Sequence, residues 1–175
     1  MATIRRANRS DAPELAELAE RTFRDAFAHA NRPEDLDLHC RSHYGIEHQA
    51  TDIQDPAMAT FVCERDRALV GYGQLRWHAP AAGVHGAQPA EIQRLYVDQR
   101  FHGTGVAQAL MSALQDAAVT GAADVLWLGV WEHNPRAIAF YTKAGFTPAG
   151  EQVFVLGRDP QRDLVLSKNL YHAAA

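Results

Sequence analysis

Residues 127–146, WLGVWEHNPRAIAFYTKAGF, join a strand pattern to a helix pattern across a short turn. The strand begins just upstream, because Val125–Val130 is nearly all apolar, which is typical of a central strand buried on both faces. Asn134 and Pro135 then stand where a helix N-cap and first helical residue are expected, and Gly145 is placed to end that helix. The stretch therefore predicts a buried strand followed directly by a short helix.

A second strand–loop–helix unit precedes it. Glu91–Val97 has a strand pattern, and the loop HGTGVA at 102–107 leads into an amphipathic helix pattern that continues to Ala118. A helix N-terminus favours phosphate oxygens, and Gly103 and Gly105 would let its amides approach them. Two glycines before a helix also fit a plain turn, so the loop alone leaves both interpretations open. The chain lacks the GK[ST] of a P-loop and the third glycine of a Rossmann dinucleotide site.

Strand and helix patterns also occupy the rest of the chain. The apolar spacing of Leu15–Phe27 predicts one helix, and a second is expected from Glu34 to about His43. The remaining strand patterns are residues 3–7, 60–64, 69–77, 146–156 and 162–167. The resulting order, β-α-α-β-β-β-α-β-α-β-β, predicts an α/β domain with a mixed seven-stranded sheet flanked by helices.

The composition limits the class of protein. The 175-residue chain carries a net charge of −4, is 47% hydrophobic, and has two well-separated cysteines, Cys40 and Cys63. These values predict one soluble, cytoplasmic domain spanning residues 1–175, with no membrane helix, disulfide framework or nucleic-acid-binding surface. His39 and His43 stand one helical turn apart, but no acidic pattern accompanies them, so no metal site is predicted.

Two segments resemble motifs of the GNAT N-acetyltransferase superfamily. Asn134 followed by A-x-x-F-Y-x-K-x-G-F, residues 137–146, resembles motif B, and His102–Ala107 resembles motif A, Q/R-x-x-G-x-G/A. Residues 22–36, TFRDAFAHANRPEDL, and 153–170, VFVLGRDPQRDLVLSKNL, are similar to PaiA-type polyamine N-acetyltransferases. The resemblance implies the GNAT fold, whose seven-stranded sheet is mixed and mostly antiparallel, and transfer of acetyl from acetyl-CoA.

The resemblance also implies where acetyl-CoA binds. The backbones of Leu95, Tyr96 and Val97 would pair with the pantetheine arm, as an added strand pairs with a sheet edge, and Asn134 would contact the same arm. The pyrophosphate would lie on the loop and helix start formed by Gly103, Thr104, Gly105, Val106, Ala107 and Gln108. His102 stands where the motif is expected to begin with Gln or Arg, which predicts weaker cofactor binding.

The catalytic residues follow from the same resemblance. Tyr141 matches the superfamily's general acid, and a phenol can protonate a departing thiolate. Glu91 matches the position of a catalytic glutamate that removes a proton from the amine, and Glu132 is a second candidate. The acid expected at Gln93 is absent, and either glutamate is as consistent with a structural role. No cysteine lies in the motifs, so direct acetyl transfer is expected.

A primary amine is the expected acceptor, and a polyamine such as spermidine or spermine is the first candidate. A cationic acceptor favours carboxylates and aromatic rings, and the residues expected in its cleft are Phe23, Asp25, Phe27, Trp77, Trp131 and Glu132. The helical spacing of Phe23 and Phe27 fits the core equally well. The alternatives are a protein N-terminus, an aminoglycoside or an amino acid as acceptor, and a non-catalytic sensor of acetyl-CoA. Monomer and homodimer both remain open.

Overall fold

The computed structural model describes residues 2–170, so the ends of the predicted domain, residue 1 and residues 171–175, lie outside the described residues. The helices are α1 Ala12–Phe27, α2 Pro33–His43, α3 Ile46–Gln54, α4 Val106–Thr120 and α5 Pro135–Lys143. The strands are β1 Thr3–Arg6, β2 Met58–Arg65, β3 Ala68–Trp77, β4 Pro89–Val97, β5 Val125–Trp131, β6 Thr147–Leu156 and β7 Asp159–Asn169. Within residues 2–170, no helix combines the length and apolar character needed to cross a bilayer.

The strands form a single sheet in the order β1-β2-β3-β4-β5-β7-β6. Every neighbouring pair is antiparallel except β4 and β5, which run parallel. This confirms the predicted mixed, mostly antiparallel sheet of seven strands. The β2–β3 hairpin turns at Asp66 and Arg67, whose φ angles of 53° and 66° suit the right-handed twist of the two strands.

The parallel contact between β4 and β5 is short. Pro89–Glu91 pairs with Val125–Trp127, and the pairing ends there. A β-bulge at Gln93 interrupts the register of β4 against β3 and increases the local twist. The C-terminal halves of β4 and β5 therefore diverge and open a wedge in the middle of the sheet.

Each face of the sheet carries its own hydrophobic cluster. On one face, α4 and α5 pack over β4 and β5, with Ile92, Leu114 and Leu126 at the centre. On the other face, α1 and α2 contribute a cluster that includes Leu15 and Phe23. The wedge between β4 and β5 lies between these two packed faces. The elements on either side of the wedge are therefore fixed by core contacts.

The helix α3 corrects the sequence prediction, which placed only two helices before β2. Its interior-facing residues include Gln49, which is 0% exposed, whereas Ile46 is 50% exposed. The apolar residues at helical spacing are Ile46, Ala50 and Ile53, which make a short pattern. That pattern is weakened because a polar side chain faces inward and Ile46 faces solvent. The helix packs on α1 and β2 and carries Asp52 towards the middle of the sheet.

Candidate active site

Two adjacent cavities lie where β4 and β5 diverge. The larger, about 650 Å³, is bounded by α1, the end of β4 and α5. The smaller, about 290 Å³, extends between β4, β5, α2 and β6. The residues that line both cavities, and so mark their junction, are Leu95, Tyr96, Asn134, Ala137 and Tyr141.

The backbone of β4 turns some of its polar groups away from β3 and towards the larger cavity. The Asp98 amide donates to the Val70 carbonyl at 2.9 Å, so the register pair that includes Val97 is a non-hydrogen-bonded one. The amide and carbonyl of Val97 therefore point away from β3. The same alternation turns the amide and carbonyl of Leu95 outward, whereas those of Tyr96 face β3. The prediction that the Tyr96 backbone pairs with the cofactor arm is therefore wrong. An extended amide chain can pair with such outward groups as an added strand does.

His102 contacts one of these outward groups. Its Nε2–H donates to the Val97 carbonyl oxygen at 2.8 Å, and Arg136 on α5 donates to its Nδ1 at 2.8 Å. Because a guanidinium can only donate, this arrangement assigns the proton of a neutral imidazole to Nε2. The prediction that His102 replaces the first motif residue is wrong. That position lies three residues before Gly103 and is occupied by Arg100, so RFHGTG matches the motif without departure.

The loop before α4 leaves its backbone open to a ligand. Gly103 and Gly105 have φ angles of 76° and 88°, the left-handed region that favours glycine. A Cβ atom built on either glycine meets no other atom within 4 Å. Gly105 is the N-cap of α4, and the first amides of a helix have no partner within the helix. The loop and helix start therefore form an open, partly positive cradle of amides.

Helix α5 begins at the junction of the two cavities. The Asn134 Oδ1 accepts a hydrogen bond from the Ala137 amide at 3.1 Å, which confirms the predicted N-cap. Further along the helix, the Tyr141 ring packs edge-on against Phe140 and Phe146. Burial raises the pKa of the Tyr141 phenol well above its ordinary value, so the hydroxyl remains protonated at physiological pH.

Two carboxylates, Glu91 and Asp163, line the smaller cavity. Burial raises the pKa of both, and that of Asp163, which is only 7% exposed, rises to about 6. Neither forms an ion pair with another of residues 2–170. Asp163 was not predicted from the sequence, although its place two residues before Val165 on the buried face of β7 could have marked it as an inward-facing acid.

Asp163 reaches the cavity because Gly129 has no side chain. On the two neighbouring strands, its register partners are Trp131 and Gln152. A Cβ atom on Gly129 would lie 3.1 Å from the Asp163 Oδ2 and would clash with the Gln152 Nε2. The carboxylate and the amide therefore occupy the space over β5 that a larger residue would take.

Aromatic rings form much of the rest of the smaller cavity. Phe27, Trp131 and Phe154 line it together with His39, which stacks on Phe23 at a centroid distance of 4.4 Å. Burial lowers the pKa of His39 to about 4, so its imidazole is neutral at physiological pH. Among residues 2–170, no group of three or more His, Cys, Asp or Glu side chains is arranged to hold a metal ion.

Arg94 also lines the smaller cavity, but its charge is matched. Its Nη1 donates to the Gln74 Oε1 at 2.6 Å and to the Asp52 Oδ2 at 3.2 Å. Its guanidinium lies 5.4 Å from the centre of the Tyr44 ring. This buried group joins β3, β4 and α3, and it was not predicted, because a lone arginine in a strand carries no signal of its partners.

Comparison with known proteins identifies the family. The profile of the acetyltransferase (GNAT) family matches residues 12–146. The chain belongs to the GNAT family. An uncharacterised N-acetyltransferase of Lactobacillus delbrueckii subsp. lactis is 32% identical over 169 residues, which cover 95% of this chain and 96% of that protein. Another, from Mycobacterium tuberculosis H37Rv, is 34% identical over 162 residues, 92% of this chain and 99% of that protein. The protein is therefore a GNAT N-acetyltransferase.

Solved structures share the same fold. The PaiA N-acetyltransferase of Thermoplasma acidophilum, solved in complex with coenzyme A, superposes with a TM-score of 0.79 at 19% identity. That alignment covers 97% of this chain and 99% of the other. A GCN5-related N-acetyltransferase of Rhodopseudomonas palustris gives a TM-score of 0.75 at 16% identity, over 97% and 96% of the two chains. The predicted GNAT fold is confirmed.

In this GNAT enzyme, the predicted cofactor residues lie at the larger cavity and at the start of α4. The lining of the larger cavity includes Leu95, Tyr96, Val97, Ala107 and Asn134. The others, Gly103, Thr104, Gly105, Val106 and Gln108, belong to the loop and first turn of α4. The side chain of Val106 is buried beneath the loop, whereas the Thr104 hydroxyl turns back and donates to the Phe101 carbonyl at 2.6 Å.

The predicted acceptor residues divide between several places. Phe23, Phe27 and Trp131 line the smaller cavity, although Phe23 and Phe27 are also core residues. Asp25 lines the larger cavity instead. Trp77 and Glu132 line neither cavity: Trp77 packs beyond the end of α4 against Gly121, and Glu132 pairs with Arg162 at 3.1 Å.

Replacing Asp163 by Asn should stabilise the enzyme above pH 6. Because the folded-state pKa of about 6 exceeds the ordinary 3.8, the stability that this group contributes is lost as the pH rises through that interval. At pH 7.5 the ionised, buried carboxylate lowers the free energy of unfolding by on the order of 2–3 kcal/mol. Urea unfolding of wild type and Asp163→Asn at pH 7.5 and pH 4.5 would measure it. Equal stabilities at pH 7.5 would contradict the assignment of an ionised, buried carboxylate.

Proposed function

We propose that this GNAT enzyme transfers the acetyl group of acetyl-CoA directly to a primary amine, and that the amine is a polyamine such as spermidine or spermine. One observation carries the proposal. A cavity with outward-facing strand backbone and a cavity with two carboxylates meet at Tyr141. A donor and an acceptor held in adjoining cavities can react without a covalent enzyme intermediate, since binding places the reacting atoms together.

The larger cavity suits acetyl-CoA. Leu95 offers an outward amide and carbonyl, and Val97 an outward amide, to an extended pantetheine arm. The Val97 carbonyl already accepts from His102. The glycine loop offers helix N-terminal amides to a pyrophosphate. Coenzyme A is present in the structure of the PaiA enzyme, which shares the fold. When bound, acetyl-CoA supplies an activated acyl carbon and a thiolate leaving group.

Glu91 acts as the general base and Tyr141 as the general acid. An ammonium has no lone pair, so the Glu91 carboxylate takes a proton from the amine, directly or through one water. The amine nitrogen forms the new C–N bond, the C–S bond breaks, and the Tyr141 hydroxyl gives its proton to the sulfur. The acetylated nitrogen then loses its second proton, which restores the Tyr141 hydroxyl. The raised pKa of Tyr141 keeps that proton available, and the raised pKa of Glu91 makes it a stronger base than an exposed glutamate.

The cysteines support direct transfer. Cys40 and Cys63 are free, buried in separate clusters, and absent from the lining of both cavities. Burial raises the pKa of the Cys40 thiol to about 11, which disfavours the nucleophilic thiolate.

The charge of the smaller cavity favours a polyamine. Glu91 and Asp163 supply two carboxylates, Arg94 is offset by Asp52, and the neutral His39 adds no positive charge. The aromatic rings can hold alkylammonium groups by cation–π attraction. The similarity of residues 22–36 and 153–170 to PaiA-type sequences supports the same acceptor class.

A free-thiol release assay with acetyl-CoA and a panel of amines tests the proposal. We expect higher kcat/KM with spermidine or spermine than with aminoglycosides, single amino acids or N-terminal peptides. Turnover with one of those other classes alone would retain direct acetyl transfer and replace the acceptor. No turnover with any amine, while calorimetry still shows acetyl-CoA binding, would favour a non-catalytic sensor.

A further inference from the structure

The two carboxylates of the smaller cavity lie at different positions along β5. Glu91 is the register partner of Trp127, whereas the Asp163 Oδ2 lies over Gly129, two residues further along the strand. Two residues of strand advance by about 7 Å. This offset is of the same order as the separation of neighbouring nitrogens in a linear diamine with a spacer of three or four carbons.

Asp163 lacks the partner that its charge requires. It is 93% buried, and within residues 2–170 its nearest polar support is the amide of Gln152. A buried carboxylate without a cation is unfavourable. An ammonium group in the cavity would provide the missing partner and a charge-assisted hydrogen bond.

We infer that Asp163 binds a second, non-reacting ammonium of the acceptor while Glu91 serves the nitrogen that becomes acetylated. The inference rests on the proposed function and narrows it to linear amines with a second cationic nitrogen three or four carbons from the first. Phe27 and Trp131, whose ring centroids are 5.9 Å apart, line the same cavity and can contact the chain between the nitrogens.

The charged side chains around Asp163 include no permanent cation that is free to neutralise it. The titratable and charged side chains that line the same cavity are Glu91, Arg94 and Tyr96 from β4, His39 and His43 from α2, Tyr44 after α2, and Tyr141 from α5. The cation among them that is charged at every physiological pH is Arg94, and it is engaged by Asp52 at 3.2 Å. Since Asp163 is ionised above pH 6 or so, preference for the diamine should weaken below that pH.

The test compares butane-1,4-diamine with n-pentylamine, in which a methyl group replaces the second amino group. We expect wild-type kcat/KM at pH 7.5 to favour the diamine by about 10- to 100-fold, the range for a hydrogen bond between charged groups. In Asp163→Asn the ratio should fall towards one, because the neutral amide offers no charge to the second nitrogen. A general loss of folding or of catalysis would affect both amines and leave their ratio unchanged.

Glu151→Gln is the matched control. Glu151 is an exposed carboxylate on β6, beside Gln152, that pairs with Arg162 and lines neither cavity. The control should keep the wild-type ratio.

A second measurement needs no variant: the wild-type ratio should decrease as the pH is lowered from 7.5 to 5. A wild-type ratio near one, or an unchanged ratio in Asp163→Asn, would overturn the inference and leave the proposed function standing. Absence of turnover with every amine would overturn both.

Discussion

Replacing Tyr141 by Phe should lower kcat by about 100- to 1,000-fold and change the dissociation constant of acetyl-CoA by less than about twofold. In the proposed mechanism the hydroxyl supplies the proton for the departing sulfur, whereas the ring packs against Phe140 and Phe146, which phenylalanine retains. Steady-state thiol release gives kcat, and calorimetric titration gives the affinity.

Tyr72→Phe is the control for that substitution. Tyr72 is also a buried tyrosine, with 0% exposure, but it lines neither cavity. Its hydroxyl has no hydrogen-bond partner among residues 2–170, so its loss should leave kcat near the wild-type value. Equal losses of kcat and acetyl-CoA affinity in Tyr141→Phe would indicate a structural tyrosine and contradict its role as general acid.

Arg94→Met should reduce the free energy of unfolding by about 3–5 kcal/mol. The Arg94 side chain is 12% exposed and neutralises Asp52, which is 24% exposed, while also bonding the fully buried Gln74. Removing the guanidinium leaves the carboxylate and the amide without their partner in a poorly solvated place. Urea unfolding monitored by circular dichroism measures the loss.

The effect of Arg94 should depend on burial and not on ion pairing alone. Arg162 also pairs with two carboxylates, Glu132 and Glu151, but its side chain is 50% exposed. Arg162→Met should therefore leave the free energy of unfolding almost unchanged. Adding Asp52→Leu to Arg94→Met should recover part of the stability, because no unpaired charge then remains. Similar losses in the two arginine variants would contradict this account.

Local patterns accounted for most of the secondary structure. The apolar run at Val125–Val130, the Asn134–Pro135 start and the Gly145 end of α5 all depend on contacts between residues close in the chain, and each was predicted correctly. The β2–β3 hairpin followed from two strand patterns and a short turn. By contrast, α3 was missed because one of its two buried residues, Gln49, is polar, and the burial of Gln49 depends on the elements packed against the helix.

The site residues also divide into those that local sequence predicted and those that depend on packing. Similarity of sequence identified Tyr141 and the glycine loop, because these residues lie within continuous motifs. Trp77 and Glu132 were plausible by residue type, but the pleat and packing direct them away from the cavities. Asp163 became a candidate only when β7 was seen beside β5, with Gly129 leaving space for its carboxylate.

Local spacing and residue type were enough to predict the seven strands, the helices other than α3, the GNAT motifs and acetyl transfer. The three-dimensional packing was needed to show where β4 and β5 separate, which backbone groups of β4 face the opening, and which acids line the smaller cavity. These features arise from pairing and burial between residues distant in the chain. Burial also shifts the pKa values of Tyr141, Glu91 and Asp163, because desolvation depends on every element packed around a group and not on its neighbours in sequence.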